Sequence, residues 1–318
     1  MATEVMLQGL LEGKKLVMVG GKGGVGKSTC ASAIALWYAK EDKGPVLIIS
    51  TDPTPSLSDI FEQPIGDRIT SIGAFPNLHA QEISPELVLS LWRKRFGKEI
   101  YEVVKAFSNL EEDFVLDYVG SAPGIEEEYV LYYIWTLVKE GRYRTVVWDT
   151  APAGHTLRLL KVPALFLKHL EGATRFYLQL FSYVEKVKGA FQSKPKKGII
   201  DIIQGWKELS ADIESFLRDR KAVSYVLVTI PEALGVNQTK RIFNELRDHG
   251  LWIDLLVVNQ YVSHPDCQFH KARKEMQDRY LKEIFFQFKD LPIKVVPSLA
   301  EEVKGITSLE RFCQLLFS

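Results

Sequence analysis

Short, unbroken apolar runs punctuate the chain at residues 16–19, 46–50, 145–148, 224–230, 251–258 and 294–296. Runs of this kind, bounded by Gly, Pro, Asp or Asn, predict strands buried on both faces, as in a parallel sheet. Residues 78–83 add a shorter strand. Between the strands lie stretches with helical spacing. Residues 28–40 are rich in Ala and contain neither Gly nor Pro, which predicts a helix packed on the sheet. From Pro85 to about Val119 the residues Leu87, Leu91, Trp92, Phe96, Ile100, Val103, Val104 and Phe107 recur at helical intervals. Glu126 opens another helix with acidic residues in its first turn, one more runs from Pro231-Glu232 through Leu246, and the last covers 309–317. From Ala164 to about Asp219 the alternation stops and long amphipathic stretches take over. The pattern predicts an α/β fold, a mostly parallel sheet with helices on both faces, and an inserted α-helical subdomain drawn from about 84–140 and 164–219.

The first apolar run leads directly into Gly20-Gly21-Lys22-Gly23-Gly24-Val25-Gly26-Lys27-Ser28-Thr29. A glycine-rich turn between a strand and a helix lets backbone N–H groups curl around an anion, and the helix that follows points its positive end at the same place. Lys27 then reaches the β- and γ-phosphates of a nucleotide and the Ser28 hydroxyl holds Mg²⁺. The whole of 1–318 is accordingly expected to be one P-loop ATPase domain using ATP and Mg²⁺. Two further carboxylates fall at strand ends, where α/β folds place ligands: Asp52 after the second apolar run and Asp149 after the third. Asp149 stands in the Walker B position, supporting Mg²⁺ from behind the P-loop hydroxyl.

Composition narrows the class. The 318 residues are 46% hydrophobic, ample for a full core, and 40 basic against 40 acidic residues leave no net charge. Nothing global therefore points to nucleic acid as a partner. Three widely spaced cysteines, Cys30, Cys267 and Cys313, suit a reducing compartment, and no apolar run approaches the roughly 18 residues of a membrane span. A soluble cytoplasmic protein is expected.

Lys22 inside the loop makes the sequence Lys-Gly-Gly-Val-Gly-Lys-Ser, which resembles the deviant P-loop of the MinD/ParA, nitrogenase iron protein and arsenite-pump ATPase superfamily. Residues 52–61 (DPTPSLSDIF) and 149–163 (DTAPAGHTLRLLKVP) resemble the two switch segments of the arsenite-pump and tail-anchored-protein targeting ATPases. The resemblance spans nearly the whole chain. It implies a homodimer in which Lys22 crosses to the partner's nucleotide, Asp52 orients the attacking water, and Gly154 gives a backbone N–H to the γ-phosphate while His155 moves with its loop. It also implies that Asn259, Pro231 and Pro297 surround the adenine, and that catalysis rests on Asp52, Lys22 and Lys27. Thr54-Pro55 and Ser56 depart from the family's Ala-His-Asn, and Gln238 stands where the family usually has Glu.

The family's tail-anchored targeting members pool helices from two protomers into a groove for a client's transmembrane helix, and they act at a membrane receptor. Residues 164–187 and 199–217 fall at that insertion, and the resemblance implies the same kind of client. Such grooves often use Met, yet this chain has 4 Met with none between Met18 and Met276, so a groove here is built from Leu, Ile and aromatics, or a closed bundle replaces it. Cys267 and His270 occupy the family's Cys-x-x-Cys position. Cys-x-x-His spacing lets both side chains face one ion, so two copies would make a shared Zn²⁺ site; a metal-free interface is the other reading. Two rival functions remain open. An arsenite or antimonite efflux ATPase captures metalloid on clustered thiols, and a MinD/ParA-like partitioning ATPase works on a basic or amphipathic surface.

Overall fold

The computed structural model describes residues 2–41, 44–52, 56–105, 110–121, 124–150 and 197–318. The chain divides into two compact units: Met1–Ser84, Thr136–Leu157 and Arg218–Ser318 make one, Pro85–Trp135 and Arg158–Leu217 the other. In the first, eight described strands form one sheet: β1 (Leu16–Gly21), β2 (Val46–Ser50), β3 (Thr70–Ile72), β4 (Phe75–Glu82), β5 (Thr145–Asp149), β6 (Val223–Thr229), β7 (Leu255–Tyr261) and β8 (Ile293–Pro297). Their order across the sheet is β3-β4-β2-β5-β1-β6-β7-β8, and β3 alone runs antiparallel to its neighbour.

The helices of this unit are α1 (Ala2–Leu11), α2 (Lys27–Lys40) and α3 (Leu57–Phe61). The second unit holds α4 (Pro85–Lys105), α5 (Glu112–Gly120), most of α6 (Ile125–Glu140) and α7 (Lys197–Leu217). The chain then returns to the first unit with α8 (Ala233–Asp248), α9 (Gln268–Gln287) and α10 (Gly305–Phe317).

The sequence dictates where the core lies. All residues of β2, β5 and β6 are buried, as expected of apolar runs with layers on both faces, and each buried Val, Ile or Leu contributes roughly 1.5–3 kcal/mol. Helix α2 is buried on nearly every side (Cys30, Ala31, Ala33, Ile34, Ala35, Leu36), because its alanines let it sit close between the sheet and α10. Trp37 stacks on Phe317 of α10 with ring centroids 4.8 Å apart, and the Cys313 thiol donates to Ala33 O. The apolar runs that predicted strands put β1 centrally, between β5 and β6, so that P-loop, Asp52 and Asp149 emerge at neighbouring carboxyl ends.

Four departures from the sequence pattern have physical causes. The single helix expected from Pro85 to Val119 is two, α4 and α5, because Glu111 is extended as the N-cap of α5 and Glu112 and Asp113 suit a fresh first turn. The fifth apolar run pairs only from Leu255, since Asp254 turns its carboxylate back to accept the Tyr225 N–H at 3.2 Å. Helix α9 leaves no apolar stripe to read, with only Gln277 and Ile284 buried among charged faces. The short α3 and the edge strand β3 carry too few residues for a period to show. The apolar stretch 164–187 lies outside the described residues.

Candidate functional site

Strand β1 ends at Gly21, and the chain loops through Lys22–Gly26 before α2 begins at Lys27. Gly26 is the N-cap of α2 in a left-handed conformation (φ 88°), with no side chain capping the helix. The first turn of α2 thus has no side-chain cap, the arrangement that suits an anion at a helix N-terminus. A Cβ at Gly26 would collide with the Asn259 side-chain amide, and one at Gly21 with Val228 O, so at these two positions the loop is wrapped too closely for any other residue. Val25 is fully buried beneath the loop, Gly23 and Gly24 are exposed, and Lys22 is partly exposed.

Four predicted residues converge beside this loop. Lys27, only 5% exposed, places Nζ 3.6 Å from Asp52 Oδ2. Asp149 is fully buried, hydrogen-bonds the Ser28 hydroxyl, and accepts from Ser50 Oγ at 3.2 Å. Ser50 Oγ also accepts the Asp52 N–H at 3.3 Å, so one hydroxyl ties both strand-end acids together. Burial pushes the Asp149 carboxyl up to about 6, against the pull of Ser28, Lys27 and Ser50. Its Oδ1 is buried with no hydrogen-bond partner among the described residues. An orphaned carboxylate oxygen beside a serine hydroxyl is a hard-oxygen donor set, which fits Mg²⁺. Sequence reasoning missed Ser50; its one signal was a hydroxyl closing an otherwise apolar strand, VLIIS.

A cavity of about 470 Å³ opens on the other side of the loop, lined among others by Gly26, Thr29, Asn259, Pro297, Val303 and Phe312. This brings four of the expected nucleotide residues, Gly26, Thr29, Asn259 and Pro297, to one place. Asn259 also braces the P-loop, since its Nδ2 donates to Val25 O at 2.9 Å. Gln260, at φ 58°, is held by the buried Gln277, whose Nε2 donates to Gln260 O at 3.0 Å. Pro231 is buried after β6 and does not line this cavity. Gly154 and His155 lie outside the described residues.

Cys267 and His270 do come together, with Asp266 completing a group whose ligand atoms all lie within 4.8 Å of one another. Cys267 is the N-cap of α9, accepting the His270 N–H, and His270 Nδ1 bonds Asp266 Oδ1. That bond holds the Asp266 carboxyl below its usual range and leaves His270 Nε2 and Cys267 Sγ as the outward donors, an orientation common to metal-bound histidines. The i, i+4 spacing of Asp266 and His270 was the missed signal.

The second unit encloses its own cavity of about 220 Å³, walled by α4, α6 and α7 through residues such as Trp92, Phe96, Ile100, Tyr129, Trp206 and Ile213. It is almost wholly apolar. Glu128 is the one acid among the described residues of its lining, and burial pushes that carboxyl up to about 8.

Comparison with known proteins agrees with this geometry. The family model described as "Anion-transporting ATPase" matches residues 14–318. The chain is 32% identical over 323 residues to "ATPase ASNA1 homolog 1" of Paramecium tetraurelia, covering 98% of this chain and 96% of that protein. It is 32% identical to "ATPase get3" of Botryotinia fuckeliana and 33% identical to "ATPase GET3" of Ajellomyces dermatitidis, covering 99% of this chain and 94% of each relative.

Proposed function

We propose, from the premise that this chain belongs to the anion-transporting ATPase family and is an ATPase, that it couples ATP hydrolysis to the handling of hydrophobic transmembrane helices. Two copies face each other across bound ATP, and each lends Lys22 to the other's nucleotide. Gly21 to Gly26, Lys27, Ser28 and Thr29 hold the phosphates, while Asn259, Pro231 and Pro297 surround the adenine. Asp52 orients the attacking water, a role supported by its place 3.6 Å from the lysine that binds the γ-phosphate. Ser28 would hold Mg²⁺ with Asp149 supporting it from behind the Ser28 hydroxyl, and the ion would neutralise charge on the phosphates. Gly154 belongs to the second switch loop.

The observation that carries the client reading is the apolar cavity of the helical unit, walled by aromatic and aliphatic side chains. A surface of this chemistry suits a transmembrane segment of a tail-anchored protein better than any polar substrate. No helix among the described residues is long and apolar enough to cross a membrane, which suits a carrier that meets the membrane transiently at a receptor. The metalloid reading lacks its thiols: Cys30 and Cys313 are buried in the core, burial pushes both thiols up, and Cys267 stands apart from them in an exposed position. Zinc shared between two copies would use Cys267 Sγ and His270 Nε2. Zinc-free protein that still dimerises with ATP would remove that part.

The experiment is co-expression with a tail-anchored client, followed by purification with and without nucleotide. Nucleotide-dependent co-purification is the expected result. Client-free protein under both conditions overturns the reading. Lys22→Ala is expected to lose hydrolysis, and full activity in that variant removes the trans-acting lysine.

A further inference from the structure

Glu82 is the last residue of β4 and stands three residues before α4, the first helix of the second unit. Its carboxylate reaches back to the start of α3. Oε1 accepts the N–H groups of Ser56 (2.8 Å), Leu57 (2.7 Å) and Ser58 (3.3 Å), while Oε2 accepts the Ser58 hydroxyl at 2.8 Å. Ser56 is the N-cap of α3 but its own side chain caps nothing, so the helix start is capped by an acid from another strand. A charged acceptor that gathers three backbone donors and a hydroxyl is among the stronger polar anchors a fold can make.

The next residue anchors the other end of the same segment. Ile83 N donates to Ser50 O at 3.0 Å, and Ser50 Oγ is the hydroxyl shared by the Asp149 carboxylate and the Asp52 N–H. Ser50 before Asp52 and Ser56 to Ser58 after it are thus held by residues 83 and 82. Ser84 follows with its N–H and hydroxyl on the Asp67 carboxylate at 2.8 and 2.9 Å, so the connection into α4 is itself held firmly.

We propose that Glu82 is a positioning residue for ATP hydrolysis: it holds Ser56 to Ser58 after Asp52 in the chain, as Ile83 holds Ser50 before it, so that the Asp52 carboxylate stays against Lys27. It ties the state of that segment to the β4–α4 connection that enters the helical unit. The assignment rests on Asp52 orienting the attacking water, and it goes beyond that reading by naming what holds Asp52 in place. Nothing about Glu82 marks it in the sequence, since it closes the ordinary strand FPNLHAQE.

The test measures steady-state ATPase and ATP affinity for Glu82→Ala, Glu82→Gln, Asp52→Asn and the Glu82→Ala/Asp52→Asn double variant, with thermal melting to confirm folding. Because displacing a catalytic group by about 1 Å costs as much as a hundredfold in rate, Glu82→Ala should lower kcat about tenfold to a hundredfold with KM for ATP little changed. Glu82→Gln keeps an acceptor of the same shape and should recover part of the rate. The double variant should be no slower than Asp52→Asn, since both substitutions disable one device. Amide exchange at Ser56, Leu57 and Ser58 should quicken in Glu82→Ala. Wild-type kcat in Glu82→Ala, a loss confined to KM, or losses that multiply in the double variant overturn the proposal while leaving Asp52 in its role. Normal turnover in Asp52→Asn overturns the Asp52 reading and this proposal with it.

Discussion

Replacing Asp149 by Asn tests whether the strand-end carboxylate is held ready for a cation. Asp149 is fully buried, its Oδ1 finds no partner among the described residues, and burial raises its carboxyl from 3.8 to about 6. A rise of that size corresponds to about 3 kcal/mol of strain once the group is ionised. The sign follows from the raised value: the contribution to stability is intact below 3.8 and is lost as pH rises through about 6. Near pH 8 without Mg²⁺, Asp149→Asn should therefore be more stable than the parent by about 1–3 kcal/mol, the lower figure allowing for an amide N–H left without an acceptor. Near pH 4 the two should agree within about 1 kcal/mol. Urea unfolding followed by tryptophan fluorescence reads the difference between variant and parent, so the other titrating groups cancel. Saturating Mg²⁺ near pH 8 should shrink or reverse the gap, because only the carboxylate draws the cation. A variant less stable than the parent at high pH without Mg²⁺, or a gap that ignores pH, refutes the reasoning.

Three other perturbations follow from the same geometry. Asp52→Asn should keep ATP bound, with affinity equal or tighter once Lys27 loses its 3.6 Å partner, while turnover falls by about 10²–10⁴-fold; near-normal turnover with unchanged affinity removes Asp52 as the water-orienting group. Gly26→Ala, strained at φ 88° and forced against Asn259, should lose about 2–3 kcal/mol, whereas Gly23→Ala, with open space around it, should melt like the parent; equal melting of the two sinks the close-wrap account. In the helical unit, an apolar dye should bind more weakly as pH rises through about 8, where Glu128 gains its charge, and Glu128→Gln should flatten that dependence; a parent profile that is already flat removes Glu128 from the cavity's chemistry.

The sequence by itself determined what is local or repetitive. Unbroken apolar runs made β1, β2, β5 and β6 legible, since a strand covered on both faces has no polar side to blur the pattern. The P-loop was legible because glycines, one lysine and one serine at fixed spacing are what a phosphate cradle requires. Asp52 and Asp149 followed from standing at strand ends. Only the tertiary structure decided which distant groups meet. Ser50 joining the two acids, Asn259 bracing the loop at Val25, and Glu82 capping α3 from a separate strand all depend on strand order, which puts residues 24 to 234 positions apart within hydrogen-bonding distance. Such contacts leave no period and no motif in the chain, because a hydrogen bond selects for distance and direction in space, and neighbours along the sequence carry no record of either.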